Sequence, residues 1–374
     1  MDYRTKLFTV KDPYDTAGTD RLFARAAAEN CLYHYRNCKE YKKILDGLDF
    51  DLKKAISSGE PLAENIPFIP TMLFKRHKMF SMPRCTMPIK ATSSGTSGGN
   101  ISEIGFDLGS LLCGLNMVLK VGSRRELFSP VPCHYILMGY KPHIGNRTAV
   151  TKTATGATLF TPCLSRTYVL KYKSGKYVPD FEGVISAVKN YSRSRFPCRF
   201  MGFPAYTYFL LKIMEERGIR VKLPKGSKIL LGGGWKQFYS EKADKETVYR
   251  LAEKILGIGE ENIIEFFGAV DHPILYCDCK NHHFHIPAYS RVIIRDPVTL
   301  KPLKKGEPGL VNLITPMVKA TPILSVMTDD LGVIRDDCGC GIRSPYLEII
   351  GRVAPDSLKT CAAGAEEIMK KIQL

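Results

Sequence analysis

Residues 92–102 read TSSGTSGGNIS, an uncharged stretch in which Ser93 to Gly99 are seven consecutive small residues. Such a loop lets backbone N–H groups approach an anion closely, because no side chain stands between main chain and ligand, and Ser and Thr hydroxyls add donors. The alternative is a flexible linker, which Gly/Ser tracts commonly form. A Walker phosphate loop needs Lys before its Ser/Thr, whereas Gly98 is followed by Gly99 and Asn100, and the dinucleotide fingerprint GxGxxG is not formed. The residues alone therefore predict an anionic ligand that contains phosphate.

Thiols and imidazoles form two further clusters, YCDCKNHHFHIP at 276–287 and DCGCG at 337–341. Together they offer a Cys3His set that suits a tetrahedral structural zinc ion. The set consists of Cys279, His285, Cys338 and Cys340. Cys277 and His283 are the substitutes if the set is shifted along a strand, and the alternative is free thiols beside solvated histidines. Because intracellular Cys/His clusters favour metal over disulfide, the sequence predicts zinc here.

Composition limits the classes of function. The chain has 374 residues, twelve cysteines and a formal net charge of +17, which favours anionic partners. Its basic residues are scattered, without a nucleic-acid signature, so nucleic-acid binding is disfavoured. The N-terminus is polar and no apolar run approaches the roughly 18 residues of a membrane span, so we expect a cytoplasmic protein without a signal peptide or membrane span.

Alternating elements in the middle of the chain can position such ligand-binding loops. CRFMGFP, SKILLGGGW and NIIEFFGAVDH read as strands, and AYTYFLLKIMEERG and DKETVYRLAEKILG between them have helical spacing of apolar residues. This alternation predicts an α/β fold with a parallel sheet, in which ligands bind beyond the carboxyl ends of the strands. GGGW and FFGAVDH stand at such ends. We expect residues 92–102, here called the bare loop, to stand at the same edge of the sheet.

Three domains or segments are predicted from changes in pattern along the chain. Residues 1–286 form an α/β core with a helical N-terminal segment, residues 287–352 form a β-rich subdomain, and residues 353–374 form a short tail.

Ordered motifs resemble those of the acyl-adenylate-forming superfamily. TSSGTSGG resembles its phosphate loop, GGGW its adenine-lining stretch, FFGAVDH its Tyr-Gly-x-Thr-Glu motif and MTDDLG its Thr-Gly-Asp motif, followed by GR at 351–352. With IPFIPTMLFK, RDP and CGCG they resemble one family over nearly the full chain, the acyl-protein synthetases (LuxE). The resemblance implies a large adenylate-forming N-terminal domain of parallel α/β sheets, a β-rich subdomain and a truncated C-terminal domain.

The resemblance also implies roles for residues, with ATP and Mg²⁺ as cofactors. Asp271 stands where the superfamily has a magnesium-binding Glu, although Val270 replaces the preceding Thr. Asp330 would hydrogen-bond the ribose hydroxyls, with Arg352 nearby. Gly232, Gly233 and Gly234 would line the adenine. The residues that would hold the ATP phosphates are Ser93, Ser94, Gly95, Thr96, Ser97 and Gly98.

The C-terminus departs from the superfamily, because only residues 353–374 follow GR. The catalytic Lys of the full C-terminal domain is absent or replaced, with Lys359, Lys370 and Lys371 as candidates by position. Cys361 lies beside a cation and before a predicted helix, which lowers a thiol's pKa, and the family resemblance makes it the expected acyl acceptor. The alternative is an inert cysteine.

The sequence thus predicts an ATP-dependent ligase that forms acyl-AMP from a fatty or aryl carboxylic acid and passes the acyl group to a protein cysteine. An acyl- or aryl-CoA ligase, or an enzyme that loads a carrier protein, is the alternative, and a basic scaffold is the alternative outside enzymes. The expected partners are the acid substrate and an acyl-reductase or acyl-carrier protein.

Overall fold

The computed structural model of the chain describes residues 2–57, 62–92, 102–143, 149–235, 238 and 241–352. The phosphate-loop residues 93–98 and the tail 353–374, which contains Cys361 and the three candidate lysines, lie outside the described residues. Within the described ranges, none of the helices is long and apolar enough to cross a membrane.

The chain divides into two compact units. One, here called the discontinuous unit, takes its described residues from Met1–Ser93, Asn100–Gly122 and Gly268–Leu374, and the other, the continuous unit, from Ser123–Phe267. The predicted boundary at residue 286 does not coincide with this division. The N-terminal helices share a unit with the C-terminal strands, and Ile69 and Pro70 pair directly with Val326 and Met327.

The N-terminal part of the discontinuous unit is mostly helical, as the sequence predicts. Its described elements are α1 (Tyr3–Phe8), α2 (Asp20–Asn37), α3 (Lys39–Gly47), α4 (Leu52–Ser57), α5 (Leu62–Asn65), β1 (Ile69–Pro70), α6 (Thr71–Arg76), β2 (Ile89–Thr92), β3 (Glu103–Phe106) and α7 (Leu108–Ser123). Apolar side chains on one face of each longer helix are buried, Phe23 of α2 and Ile44 of α3 among them, so tertiary packing stabilises these helices.

The bare loop is bordered by a hairpin of its own. Strands β2 and β3 pair with each other in antiparallel fashion, from Ile89 opposite Phe106 to Thr92 opposite Glu103, and form a separate two-stranded sheet. The expectation that the loop follows a strand of the parallel sheet is therefore wrong. Four-residue strands next to a Gly/Ser run carry too little alternation to be recognised in the sequence.

The continuous unit has the predicted alternation of strands and helices. Its elements are β4 (Cys133–Tyr140), α8 (Ala149–Ala157), β5 (Cys163–Lys173), β6 (Lys176–Pro179), α9 (Phe181–Tyr191), β7 (Cys198–Gly202), α10 (Pro204–Glu216), β8 (Lys228–Leu231), α11 (Lys245–Leu256) and β9 (Ile263–Ala269). The strand order is β9-β8-β7-β4-β5-β6, parallel except for β6. The three strands and two helices predicted from the sequence correspond to β7, α10, β8, α11 and β9.

Local signals set the ends of these helices. Pro204 occupies the first turn of α10, where no N–H is needed. Asp244 caps α11 by accepting a hydrogen bond from the Thr247 N–H at 2.7 Å, and Gly257 ends it at φ +68°, which glycine adopts without steric cost. The sheet and helices bury one apolar core that includes Ile136, Phe200 and Leu251.

The C-terminal part of the discontinuous unit is rich in strands, as predicted. The strands are β10 (His272–Cys277), β11 (Phe284–His285), β12 (Arg291–Arg295), β13 (Gly309–Ile314), β14 (Ser325–Arg335) and β15 (Tyr346–Arg352). Strands β11 to β15, without β10, form a sheet in the order β11-β15-β14-β13-β12, and the N-terminal strand β1 pairs with β14 in parallel, Ile69 opposite Val326. This long-range pair ties the N-terminal helices to the β-rich region.

Candidate functional site

The β14–β15 hairpin brings together two of the predicted nucleotide-binding residues. Asp330 of β14 lies directly opposite Arg352 of β15 in the antiparallel register, with Arg352 Nε 3.9 Å from Asp330 Oδ1. Arg352 Nη2 also lies 3.5 Å from Asp329 Oδ2. Burial raises the pKa of Asp330, although the charge of Arg352 opposes the rise. The predicted ribose carboxylate and its arginine are therefore neighbours.

Asp271 lies in the turn between β9 and β10 and is only 6% exposed. Its Oδ1 accepts a hydrogen bond from the Ser102 hydroxyl at 3.2 Å. Burial raises the pKa of the Asp271 carboxyl to about 6; the charge of Asp329 adds to the rise, while the Ser102 hydrogen bond and the charge of Lys75 oppose it. Burial and the charge of Asp329 both disfavour the ionised form of Asp271. A bound cation would therefore stabilise that ionised form.

This donor set fits the magnesium ion that the superfamily resemblance implies. Mg²⁺ prefers oxygen ligands and is commonly held by one or two carboxylates together with substrate phosphates. Asp271 is the buried carboxylate, and Asp329 and Asp330 add negative charge on the neighbouring hairpin. The observation that supports the fit is a carboxylate that is 6% exposed and has one hydrogen bond to Oδ1, from Ser102, because a divalent cation would offset the cost of its buried charge.

Three residues around this carboxylate are not predicted from the sequence. Asp329 stands where the superfamily motif has Gly, so the motif match directed attention to Asp330 alone. Ser102 and Lys75 lie far from Asp271 in sequence, yet both act on its pKa. The signals that could have found them are the doubled Asp of TDD and the position of Ser102 at the end of the bare loop.

The three glycines predicted to line the adenine belong to the continuous unit and follow the carboxyl end of β8. Gly233 and Gly234 have φ values of +85° and +68°. A Cβ on Gly233 would lie 2.8 Å from Cε1 of Phe203, so the backbone runs directly beside an aromatic ring. Bare main chain beside aromatic side chains is suited to a flat, partly polar ligand such as a purine base. Trp235 follows, with its ring centroid 5.7 Å from that of Tyr208.

The structure brings the four predicted zinc ligands together. Their ligand atoms all lie within 4.8 Å of one another. Cys279 Sγ is 3.4 Å from Cys338 Sγ, and Cys340 Sγ is 3.2 Å from His285 Nε2. Cys279 and His285 are buried, and Cys338 and Cys340 are half-buried.

Further contacts orient these ligand atoms. His285 Nδ1 lies 2.7 Å from the Ser344 carbonyl oxygen, and since a carbonyl only accepts, Nδ1 carries the proton and Nε2 has a free lone pair. The backbone N–H groups of Asn281 and Ile342 donate to Cys279 Sγ and Cys340 Sγ at 3.3 and 3.4 Å. Such donors stabilise thiolates.

The two substitute ligands of the sequence analysis occupy different positions. His283 Nδ1 lies 3.1 Å from Cys338 Sγ, beside the cluster, with its ring stacked on Tyr346 at 4.2 Å. Cys277 is buried at the end of β10 and is not in the metal-binding group found among the described residues.

Comparisons with known proteins agree with the sequence resemblance. The family model described as "Acyl-protein synthetase, LuxE" matches residues 10–370. Two similar proteins are named long-chain-fatty-acid–luciferin-component ligase. The one from Aliivibrio fischeri is 24% identical over 350 residues, covering 91% of this chain and 86% of its own length. The one from Vibrio harveyi is 24% identical over 350 residues, covering 88% and 83%.

Solved structures show the same fold. A 2-hydroxyisobutyryl-CoA ligase in the postadenylation state, in complex with 2-HIB-AMP, matches with a TM-score of 0.69 at 13% identity over 91% of this chain and 69% of that one. An open conformation of that ligase, with 2-HIB-AMP and CoA, matches with a TM-score of 0.69 at 14% identity over 91% and 76%. The predicted adenylate-forming α/β fold is thereby confirmed.

Proposed function

This chain belongs to the acyl-protein synthetase (LuxE) family, and on that premise we propose that it is a ligase that activates a long-chain fatty acid with ATP and transfers the acyl group to a protein cysteine. The observation that carries the proposal is the family match over residues 10–370. The carboxylates and arginine described above, on an adenylate-forming fold, support it.

The proposed reaction has two steps. In the first, a carboxylate oxygen of the fatty acid attacks the α-phosphorus of ATP, which forms acyl-AMP and releases pyrophosphate. In the second, a thiol loses its proton to solvent, the resulting thiolate attacks the acyl carbonyl, and the bond to AMP breaks, which gives a thioester and AMP. Activation is needed because a free carboxylate is a poor electrophile, whereas AMP is a good leaving group.

Each residue set has a proposed part in the first step. Residues 93–98 hold the phosphates through backbone N–H groups and hydroxyls, and Gly232–Gly234 contact the adenine through main chain. Asp330 accepts hydrogen bonds from the ribose hydroxyls and is oriented by Arg352, 3.9 Å away. Asp271 holds Mg²⁺, which when bound neutralises phosphate charge.

The acyl acceptor that we propose is Cys361. Several other thiols are poor nucleophiles, because burial raises the pKa of Cys31, Cys38 and Cys113 to about 11 and keeps them protonated at neutral pH. Cys85 is exposed and is the described thiol best placed to compete. A free acceptor thiol requires a reducing compartment, so we place the protein in the cytoplasm.

The proposed cofactors are ATP, Mg²⁺ and, at the Cys3His cluster, a structural zinc ion. The proposed onward partner is a reductase or carrier protein that consumes the thioester. The net charge of +17 favours a partner with an acidic surface.

Fatty-acid-dependent exchange of ATP with labelled pyrophosphate tests the first step, with long-chain acids compared against short-chain and aryl acids. Absence of exchange with every acid refutes the enzyme assignment. Exchange with aryl acids alone would make an aryl acid, and not a fatty acid, the proposed substrate.

Labelling with radioactive fatty acid and ATP tests the second step. The wild-type protein should carry a label that hydroxylamine releases, because that nucleophile cleaves thioesters readily. Cys361→Ser should lose the label and keep exchange, whereas the matched control Cys85→Ser should keep both. A label that appears only on coenzyme A or on a carrier protein favours the alternative ligase.

A further inference from the structure

The Cys3His cluster has the dimensions of a closed zinc site. With bonds of about 2.3 Å to sulfur and 2.0 Å to nitrogen, tetrahedral zinc places its ligand atoms roughly 3.5–3.8 Å apart. The observed separations of 3.4 Å between Cys279 and Cys338, and of 3.2 Å between Cys340 and His285, need only small outward movements of the side chains. Three thiolates and one oriented imidazole complete the coordination, so the site is structural, with no open position for substrate.

The four ligands come from two different pieces of the discontinuous unit. Cys279 and His285 follow strand β10, and His285 is part of the two-residue strand β11. Cys338 and Cys340 lie in the turn that joins β14 to β15. A metal ion there joins the segment after β10 to the tip of the β14–β15 hairpin.

These same two pieces carry the proposed nucleotide carboxylates. Asp271 directly precedes β10, and the Cys3His cluster begins just after the opposite end of this strand. Asp330 lies within β14, which leads to the cluster turn, and it pairs with Arg352 at the far end of the hairpin. The charge of Asp329 raises the pKa of Asp271, so these carboxylates of the two pieces interact electrostatically.

Backbone pairing between the two pieces is short. The register of β11 with β15 consists of Phe284 opposite Leu347 and His285 opposite Tyr346. One further backbone bond, from Ile286 N–H to the Pro345 carbonyl at 2.8 Å, extends it. So short a ladder can slip or open, and a four-ligand metal site is much harder to displace.

We infer that one zinc ion, bound by Cys279, His285, Cys338 and Cys340, positions the nucleotide site: it locks the β10–β11 segment to the β14–β15 hairpin and thereby fixes the spacing between Asp271 and the Asp329–Asp330 pair. This inference rests on the proposed function, because it assumes that these carboxylates bind Mg²⁺ and ATP. The four ligands are positioning residues and contact no substrate.

The first measurement is the metal content of the protein purified without added metal. Elemental analysis should find one zinc per chain in the wild-type protein and in His283→Gln, and should find it lost in Cys340→Ser. Replacement by Co²⁺ should give the intense visible absorption of a tetrahedral thiolate site. Absence of zinc in wild type overturns the inference, and loss in His283→Gln overturns this ligand set.

The second measurement is equilibrium binding of Mg²⁺-ATP, followed by calorimetry without any fatty acid. Cys340→Ser should bind Mg²⁺-ATP at least about tenfold more weakly, in line with the effect of losing outer support at metal sites, and excess Zn²⁺ should restore part of the affinity. Cys85→Ser is the matched control and should bind as wild type does. Unchanged affinity in a folded, zinc-free variant refutes the positioning role.

If Cys340→Ser does not fold, graded removal of zinc from the wild-type protein by a chelator replaces it. ATP affinity should then fall in proportion to zinc lost while the far-UV circular dichroism stays native; constant affinity overturns the inference. Wild-type protein that holds zinc and binds ATP but exchanges no pyrophosphate with any acid contradicts the proposed function and leaves this inference standing.

Discussion

Asp271→Asn should stabilise the metal-free protein at neutral pH. The pKa of this carboxyl is raised from 3.8 to about 6, so the folded state retains the proton that the unfolded state releases. Stability therefore falls as the pH rises from 3.8 to 6, and is not reduced below 3.8. At 1.36 kcal/mol per pKa unit, the loss above pH 7 is about 3 kcal/mol. Asn has nearly the same shape, can still accept from Ser102 and has no charge to bury.

The assay is thermal unfolding of both proteins between pH 4 and pH 8 without divalent metal. The two melting temperatures should coincide near pH 4, and the variant should melt higher by on the order of 5 °C at pH 7.5. Glu216→Gln, a carboxyl-to-amide change at an exposed position, is the control and should show no such divergence.

Adding Mg²⁺ extends the test to the proposed cation site. Magnesium should raise the wild-type melting temperature at pH 7.5 and leave that of Asp271→Asn unchanged, because the variant lacks the charge that the cation compensates. The variant should also lose pyrophosphate exchange. A melting difference that is independent of pH would refute the reasoning, since it would show that the ionised carboxyl carries no desolvation cost.

Two further substitutions test the nucleotide-binding residues. Gly98→Leu should abolish pyrophosphate exchange while circular dichroism and the melting temperature stay close to wild type, since a loop side chain contributes little to the core; normal turnover would remove the phosphate role. Gly233→Ala should weaken ATP binding and lower the melting temperature, because the added Cβ would lie 2.8 Å from the Phe203 ring at φ +85°. Gly218→Ala, with φ +61° and no atom within 4 Å, is its control and should lower stability by about 1 kcal/mol through the backbone alone; equal effects of the two would show that the ring contact is immaterial.

Elements with regular apolar spacing could be predicted from the sequence, and very short ones could not. The helical period of α10 and α11 and the stop at Gly257 are local signals, so the alternating strands and helices of the continuous unit were found. Strand β1 spans only Ile69 and Pro70, and its partner Val326 is distant in sequence, so no local pattern predicts the pair. The grouping of residues 1–93 with residues 268–374 in one unit likewise has no local signal in the sequence.

In the candidate site, residue types could be recognised from the sequence, whereas the spatial neighbours of a residue could not. Clustered cysteines and histidines could be proposed as zinc ligands from residue type alone, and the structure brings Cys279 and Cys338 within 3.4 Å. Asp329 was missed because its neighbour Asp330 matched a motif and it did not. The effect of Lys75 on Asp271 depends on tertiary placement alone, which the sequence does not encode locally.

The discontinuous unit has a consequence for synthesis on the ribosome. The continuous unit is complete once Phe267 has emerged, whereas Ile69 must wait for Val326 before β1 can pair with β14. At about 5–20 residues per second, that wait is on the order of 10–50 s. For most of that time, until Tyr289 is made, Phe8 lacks the ring on which it stacks at 4.7 Å in the folded protein. The nascent N-terminal helices thus present apolar faces to chaperones and proteases until the last strands are made. Synthesis of the C-terminal strands is what buries these faces and protects the helices from proteolysis.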